Sequence, residues 1–125
     1  MVIMWVSKHS PTPRQRDELV RIFGDHRLDV DQNPFSDASE IAARIRERNA
    51  REIVCVAPLS VLRKLLEFGL QPLTAEMSQV PPDQAEVVVD GRNGRRFYKF
   101  VKFKRLTGIE MTYAEVTPCN TTGDD

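Results

Sequence analysis

Hydrophobic positions along the chain switch repeatedly between a period of two and a period of 3.6, which is typical of strands alternating with helices. The run at 53–57 is continuously apolar and rich in β-branched residues, as in a central parallel strand covered on both faces. An apolar first strand is predicted at 2–6 and a fourth strand at 73–80. Segment 27–31, with alternating charge, fits a strand at the sheet border. These segments predict a β-α-β-α-β-α-β core with right-handed crossovers and helices on both faces, an α/β Rossmann-like three-layer sandwich.

Local signals mark where the helices begin and end. Thr12 and Gln15 have the spacing of a capping box, and Pro13 falls where its missing N–H costs nothing. Asp37 with Glu40 three residues later repeats the capping signal. The predicted helices run from 13 to about 23, from 38 to about 49, and from at or just after Pro58 to a stop at Gly69.

The last third of the chain changes character after the Pro81-Pro82 pair. Strand patterns at 85–90 and 95–106 flank Gly91-Arg92-Asn93-Gly94, a strong turn signal. A second reversal at Thr107-Gly108 predicts a third strand over 109–116, so this part is expected to form a C-terminal antiparallel β-meander. Residues 1–117 are predicted to be one domain, with 118–125 as a disordered tail.

Length and cysteine usage narrow the class of protein. At 125 residues the chain has the length of one domain. It has no apolar stretch near the roughly 20 residues of a membrane helix and no basic leader, so a cytoplasmic protein without membrane contact is expected. Cys55 is expected to be a buried thiol, and Cys119 lies near the tail. Because metal-ligand spacings, phosphate loops and HExxH motifs are missing from the sequence, no metal and no cofactor is expected.

Charge is balanced overall but unevenly distributed. Residues 91–106 hold 7 basic groups and no acidic one, whereas residues 107–125 hold 4 acidic groups and no basic one. The return strand 95–105 interleaves cations with aromatic rings, as in surfaces that neutralise phosphates and stack bases. The alternative is a half-buried hairpin strand whose lysines block edge-to-edge aggregation. The candidate anion-binding residues are Arg92, Arg95, Arg96, Lys99 and Lys102.

Polar residues follow the first strand directly, in the run Ser7-Lys8-His9-Ser10-Pro11. In an open parallel sheet the ligand crevice lies at the carboxyl ends of the strands, so this loop is a candidate site. The entrance of the third helix, Ala57-Pro58-Leu59-Ser60, lies at the same end, and the N-termini of the first and third helices are expected to point at one anion-attracting crevice. A histidine that caps or packs locally is the alternative interpretation of His9.

The opening pattern of strand, residues 7–15 and amphipathic helix resembles the start of the small stand-alone CRISPR-associated ring-nuclease-type proteins of Rossmann-like, CARF-related fold. This resemblance covers about the first 20 residues. The chain as a whole is also similar to small uncharacterised proteins of prokaryotes and their mobile elements, including segment 56–62 and the strand at 73–77.

The ring-nuclease resemblance implies a homodimer whose two crevices meet to bind a cyclic oligoadenylate and cleave it without a metal, leaving a 2′,3′-cyclic phosphate. Lys8 and His9 would stabilise charge or transfer a proton. Ligand contacts would come from Ser7, Ser10, Thr12, Ser60 and the backbone around Leu59. The alternative class is a non-enzymatic module, either a nucleic-acid binder using 92–105 or a dimeric interaction protein.

Overall fold

The computed structural model describes residues 1–116, and within them the chain has a mixed α/β fold. In chain order the elements are β1 (Val2–Val6), α1 (Pro13–Phe23), β2 (Arg27–Asp31), α2 (Ala38–Glu47), β3 (Glu52–Cys55), α3 (Leu59–Glu67), β4 (Leu73–Gln79), a 3-10 turn (Pro82–Gln84), β5 (Val87–Gly91) and β6 (Gly94–Arg105). None of the helices in this range is long and apolar enough to cross a membrane.

The strands form one mixed sheet in the order β2-β1-β3-β4-β6-β5. β2, β1, β3 and β4 are parallel neighbours, while β6 runs antiparallel to both β4 and β5. This confirms the predicted parallel strands near 2–6, 53–57 and 73–80. The border strand at 27–31 and the antiparallel hairpin of 85–90 with 95–106 are also confirmed.

Side chains of β1 alternate between two hydrophobic clusters, so helices cover both faces of this part of the sheet. On one face β1 and β3 pack against α2 and α3, in a cluster that includes Met4, Val6, Ile41 and Leu65. On the other face β1, β3 and β4 pack against α1, in a cluster that includes Ile3, Trp5, Leu19 and Leu73. Full burial of a Val, Leu, Ile or Met side chain contributes roughly 1.5–3 kcal/mol to the free energy of unfolding. These two clusters are therefore the main source of the stability of the fold.

The predicted capping box fixes the start of α1. Thr12 Oγ1 accepts a hydrogen bond from the Gln15 backbone N–H at 3.2 Å, and Gln15 Oε1 accepts one from the Thr12 N–H at 2.9 Å. Loss of a cap of this kind costs roughly 0.5–2 kcal/mol. The loop between β1 and α1 is therefore held firmly at its helical end.

A β-bulge in β6 decides which aromatic rings face α1. Glu76 pairs with Lys102 and Met77 pairs with Phe100, so Val101 is an extra residue without a partner on β4. In a regular strand without this bulge Phe100 and Phe103, three residues apart, would lie on opposite faces, because side chains alternate along a strand. With it, the two rings lie on the α1 face with their centroids 4.8 Å apart, and Phe103 also meets the Trp5 ring edge-on.

The prediction of a third meander strand over 109–116 is wrong. Residues 106–116 form neither helix nor strand, and most of them are exposed. β5 pairs with β6 only as far as Tyr98, so the outer edge of β6 over 99–105 has no strand partner among the described residues, yet residues 106–116 turn away from it. The chain passes α3 instead, where Arg63 Nη2 lies 2.8 Å from Met111 Sδ. The predicted tail at 118–125, the domain boundary at 117 and Cys119 lie outside the described residues.

Candidate functional site

The sheet has a gap between the carboxyl ends of β1 and β3. From β1 the chain passes through α1 to β2 on one side, whereas from β3 it passes through α3 to β4 on the other side. Connections that leave in opposite directions separate the two loops, and ligands of open α/β sheets bind in the crevice that results. The two loops are 7–12 and 56–58. The first contains the segment 7–11 selected from the sequence, and the second overlaps the segment 57–60.

The backbone of the loop after β1 is anchored from within the fold. The Trp5 indole N–H donates to the His9 carbonyl at 2.9 Å, and Ser7 Oγ accepts from the His9 N–H at 3.1 Å. Gln32 Nε2 donates to the Lys8 carbonyl at 3.0 Å. Ser7 is buried, but the side chains of Lys8, His9 and Ser10 are exposed. The loop is thus a fixed platform from which three polar side chains project toward solvent.

Two cavities lie on either side of this platform and share Ser7, His9 and Val56 as common walls. The first has mixed walls and is called here the polar cavity because it has more polar lining residues than the second; its volume is about 770 Å³, and its other lining residues are Val6, Lys8, Gln32, Asn33, Pro34, Phe35, Ser36, Pro58 and Val61. The second is mainly apolar, with a volume of about 420 Å³, and its other lining residues are Trp5, Ser10, Gln15, Ala75, Met77, Val87, Val89 and Tyr98. An apolar cavity with a few polar groups, next to the polar cavity, suits a ligand that has one apolar part and one polar part.

The polar cavity is biased toward anions. Lys8 is the one charged residue among the described residues that line it, and no carboxylate is among them. α3 begins beside it at Pro58, which supplies no side-chain cap, so the helix's first N–H groups are not bound by a capping side chain. A positive side chain together with a helix N-terminus favours a negatively charged ligand.

The two helix N-termini do not open onto one crevice, contrary to the expectation from the sequence. Gln15 of α1 lines the apolar cavity, while Pro58 and Val61 at the start of α3 line the polar one. The reason is that α1 and α3 lie on opposite faces of the sheet, so the carboxyl ends of the strands separate the N-termini of the two helices.

The predicted ligand residues are therefore divided. Ser7 and His9 border both cavities, Lys8 faces only the polar one, and Ser10 faces only the apolar one. Thr12, Leu59 and Ser60 line neither cavity. The Thr12 hydroxyl accepts from its own helix, and the Leu59 and Ser60 side chains are exposed on the first turn of α3.

A buried charge cluster behind the polar cavity was not found from the sequence. Asp31, at the end of β2, is only 2 % exposed and lies 2.9 Å from Arg48 Nη1 and 3.6 Å from Arg44 Nη1. Burial acts to raise the pKa of Asp31, but the Asn33 N–H and the two guanidinium groups outweigh it and lower the pKa below its ordinary value. The signal in the sequence that could have predicted this cluster is the pair Arg44 and Arg48, one helical turn apart, in the helix that follows a strand ending in Asp31.

This cluster holds the rim of the polar cavity in place. The Asp31 carboxylate accepts from the Asn33 N–H at 2.9 Å, and Arg44 donates to the carbonyls of Asn33 and Pro34. Asn33 and Pro34 themselves line the cavity. Asp31 is therefore a positioning residue for segment 32–36.

The five candidate cations of the hairpin do not form one patch. Alternation along β6 directs Arg96 to the α1 face, whereas Arg95, Lys99 and Lys102 lie on the opposite face. Arg95 is paired with Asp90 at 3.2 Å, and Arg92 lies in the turn between β5 and β6. β5 pairs with β6 only as far as Tyr98, so Lys99 and Lys102 lie beyond the part of β6 that β5 covers, where charged side chains can block edge-to-edge aggregation.

Cys55 behaves as a structural thiol. It is 1 % exposed, and burial raises its pKa to about 12, so the thiol stays protonated at neutral pH. Within residues 1–116, His, Cys, Asp and Glu side chains form no group of three that could hold a metal ion. Comparisons with protein-family models, with curated proteins and with solved structures found no match, so the chemistry of this chain is inferred from its own residues.

Proposed function

We propose that this protein binds a phosphate-bearing nucleotide across the platform formed by residues 7–12, with the phosphate in the polar cavity and the base in the apolar one. The observation that carries the proposal is the pairing of a cavity whose one charged lining residue is Lys8 with an apolar chamber walled by Trp5 and Tyr98. A gap between β1 and β3 in a β2-β1-β3-β4 order is also what a Rossmann-like domain uses for nucleotides, and it supports that assignment of the fold.

The phosphate would be held by charge and by hydrogen-bond donors. The Lys8 ammonium supplies a point charge and three donors, and the His9 ring projects from the same turn. No hydrogen bond occupies the His9 ring nitrogens within residues 1–116, since the contacts of this residue are made by its backbone. The N–H groups at the start of α3, in Leu59 and Ser60, would add dipolar attraction.

The base would enter the apolar cavity. Tyr98 and Met77 provide half-buried walls, one flat and one polarisable, and an aromatic ring stacks on a base with roughly 1–3 kcal/mol. The Gln15 amide Nε2 has only a long contact of 3.8 Å to Met77 Sδ, so it is free to donate a stronger hydrogen bond to a ring nitrogen.

The catalytic form of the proposal is a ring nuclease that opens a cyclic oligoadenylate. The ribose 2′-oxygen would form a bond to the adjacent phosphorus while the bond from phosphorus to the 5′-oxygen breaks. His9 would accept the proton of the 2′-OH, and water would protonate the 5′-oxygen. Lys8 would stabilise the negative charge on the phosphoryl oxygens. Alignment and electrostatic stabilisation account for large rate enhancements in such reactions.

The sole tryptophan provides a direct binding assay, because Trp5 lies in the wall of the apolar cavity. We expect its fluorescence to change in titrations with AMP and with cyclic tetra- and hexa-adenylate. Lys8→Gln should weaken the affinity about ten-fold or more, as loss of a charged hydrogen bond does. The matched control is Lys64→Gln, which removes an exposed lysine paired with Glu67 on α3.

Cleavage is tested with the same ring compounds in excess EDTA. Linear products should form, and His9→Ala should slow their formation by roughly 10²–10⁴-fold, as expected for a positioned acid or base. His26→Ala is the control, since His26 is the other histidine and its ring contacts the Gly24 carbonyl outside the crevice. Binding without cleavage would leave a nucleotide sensor, and absence of both would refute the proposal.

A two-fold homodimer completes the proposal for a cyclic ligand, because two crevices facing each other would match the symmetry of the ring. Sedimentation at micromolar concentration should give a species of twice 14.3 kDa. A clean monomer, with or without the ring compound, would remove the dimer from the proposal.

A further inference from the structure

The half of the sheet formed by β4, β6 and β5 has one face without a helix. α2 and α3 pack on that side of the sheet, but their cluster contains side chains of β1 and β3 and none of β4, β5 or β6. α1 packs on the opposite face, where Phe100 and Phe103 lie. No helix of residues 1–116 covers this surface, called here the open face, which lies next to the nucleotide crevice but is separate from it.

The strand register defines which residues form the open face. Lys99 pairs with Ser78, Lys102 with Glu76 and Lys104 with Thr74, and directly paired residues lie on the same side of a sheet. Phe97 precedes Lys99 by two residues and pairs with Val88, so its ring belongs to the same face. The bulge at Val101 is what brings Lys99 and Lys102 to one side, because they would otherwise alternate.

Charge on the open face is positive after its ion pairs are counted. Arg95 is neutralised by Asp90 at 3.2 Å, and Lys104 by Glu76 at 3.1 Å. Lys99 and Lys102 have no carboxylate ion-pair partner among residues 1–116. Two free ammonium groups therefore flank the middle of a strand whose aromatic ring, Phe97, is half-buried.

A purely protective role accounts for only part of this arrangement. β5 pairs with β6 only as far as Tyr98, so Lys99 and Lys102 lie where the outer edge of β6 has no strand of the described chain beside it, and charges there also hinder edge-to-edge pairing. Edge protection does not require an aromatic ring on the same face, however. Free cations beside an aromatic ring on an open sheet face are the arrangement by which sheets bind single-stranded nucleic acid.

We propose that the open face binds single-stranded nucleic acid, with Lys99 and Lys102 on backbone phosphates and Phe97 stacked on a base. This site is separate from the nucleotide crevice, because the crevice lies at the carboxyl ends of β1 and β3 and its lining residues include none of Phe97, Lys99 and Lys102. The chemistry favours a single strand, since a base can stack on Phe97 only when it is not paired within a duplex.

The experiment measures the fluorescence anisotropy of a labelled 12-nucleotide oligo(dT) or oligo(rU) with the full chain, at several salt concentrations. The double variant Lys99→Gln/Lys102→Gln should lower the slope of log affinity against log salt by about 1.4, because each phosphate contact contributes roughly 0.7 on single strands. Phe97→Leu should weaken binding roughly five- to a hundred-fold with little change of slope.

Two controls make the result decisive. Arg96→Gln removes a cation from the same strand but from the α1 face, so it should change affinity much less than Lys102→Gln. Equal effects of Arg96→Gln and Lys102→Gln, or no binding of either oligonucleotide at low salt, would overturn the proposal. Equally tight binding of duplex DNA or of poly-glutamate would also overturn it, since either would indicate a general attraction of anions. Circular dichroism spectra of the variants that match the wild type would confirm that the fold is kept.

Discussion

The half of the sheet formed by β2, β1 and β3 is covered by helices on both faces, whereas the half formed by β4, β6 and β5 is covered by α1 on one face and open on the other. In the covered half the faces hold hydrophobic side chains, and polar groups reach solvent at the strand ends. In the open half a whole face can carry polar side chains. The first arrangement forms a crevice for a small ligand, and the second forms a flat surface for a longer one.

The covered half should carry most of the stability, and two leucines of α3 test this directly. Leu65 is fully buried against β1 and β3, whereas Leu59 on the same helix is 54 % exposed. Leu65→Ala should lower the free energy of unfolding by roughly 2–5 kcal/mol in a urea titration. Leu59→Ala should change it by no more than about 0.5 kcal/mol. Similar losses for the two variants would show that α3 is not packed as described.

The Asp31 cluster is the next largest effect and links stability to the rim of the polar cavity. Asp31→Asn leaves the guanidinium groups of Arg44 and Arg48 without their carboxylate, so it should cost roughly 1.5–3 kcal/mol at pH 7. The control is Asp29→Asn, because the Asp29 side chain is 25 % exposed and its contact with Arg48 Nε, at 3.7 Å, is longer than that of Asp31. A partly exposed ion pair of this kind is worth at most about 1 kcal/mol. Equal losses would contradict the role given to Asp31.

The same cluster gives the stability a dependence on acid. The pKa of Asp31 is lower in the folded chain than its ordinary value, so its contribution is full above the unfolded pKa of about 3.9 and is lost as pH falls through the folded pKa. The difference in unfolding free energy between wild type and Asp31→Asn should therefore shrink when the titration is repeated near pH 3. A difference that is constant from pH 7 to pH 3 would mean that Asp31 titrates alike in both states.

The smallest expected effect concerns the bulge in the open half. Deletion of Val101 would leave Phe100, Lys102 and Phe103 in regular alternation, with both rings still facing α1. Its cost should be smaller than that of Leu65→Ala. Deletion of Met4 from β1, by contrast, would turn the following side chains to the wrong faces and should prevent folding. Thermal unfolding monitored by circular dichroism compares the two, and equal loss of fold would contradict the bulge assignment.

Local signals in the sequence were sufficient for most of the fold. The capping box at Thr12 and Gln15 and the continuous apolar run of β3 depend on neighbouring residues, and both were predicted correctly. The strand predicted over 109–116 failed because a strand exists only where it pairs with another segment, and residues 106–116 pass α3 instead of pairing with β6.

The candidate site was predictable only in part, for a similar reason. The loop after β1 follows from strand order and sequence, but nothing local shows that α1 and α3 lie on opposite faces and divide the crevice in two. The contact of Asp31 with Arg44 and Arg48 joins a strand to a later helix, and the facing of Lys99 and Lys102 depends on a single bulged residue. Each of these depends on pairing between distant segments.

The central claim is that a nucleotide occupies the crevice at the platform of residues 7–12 and not the open face. An amide NMR titration of the labelled protein with AMP tests it most directly. The claim predicts that the largest shifts fall on residues 7–12, on the Trp5 indole N–H and on residues 32–36. Shifts confined to residues 95–104, or no shifts at millimolar AMP, would contradict it.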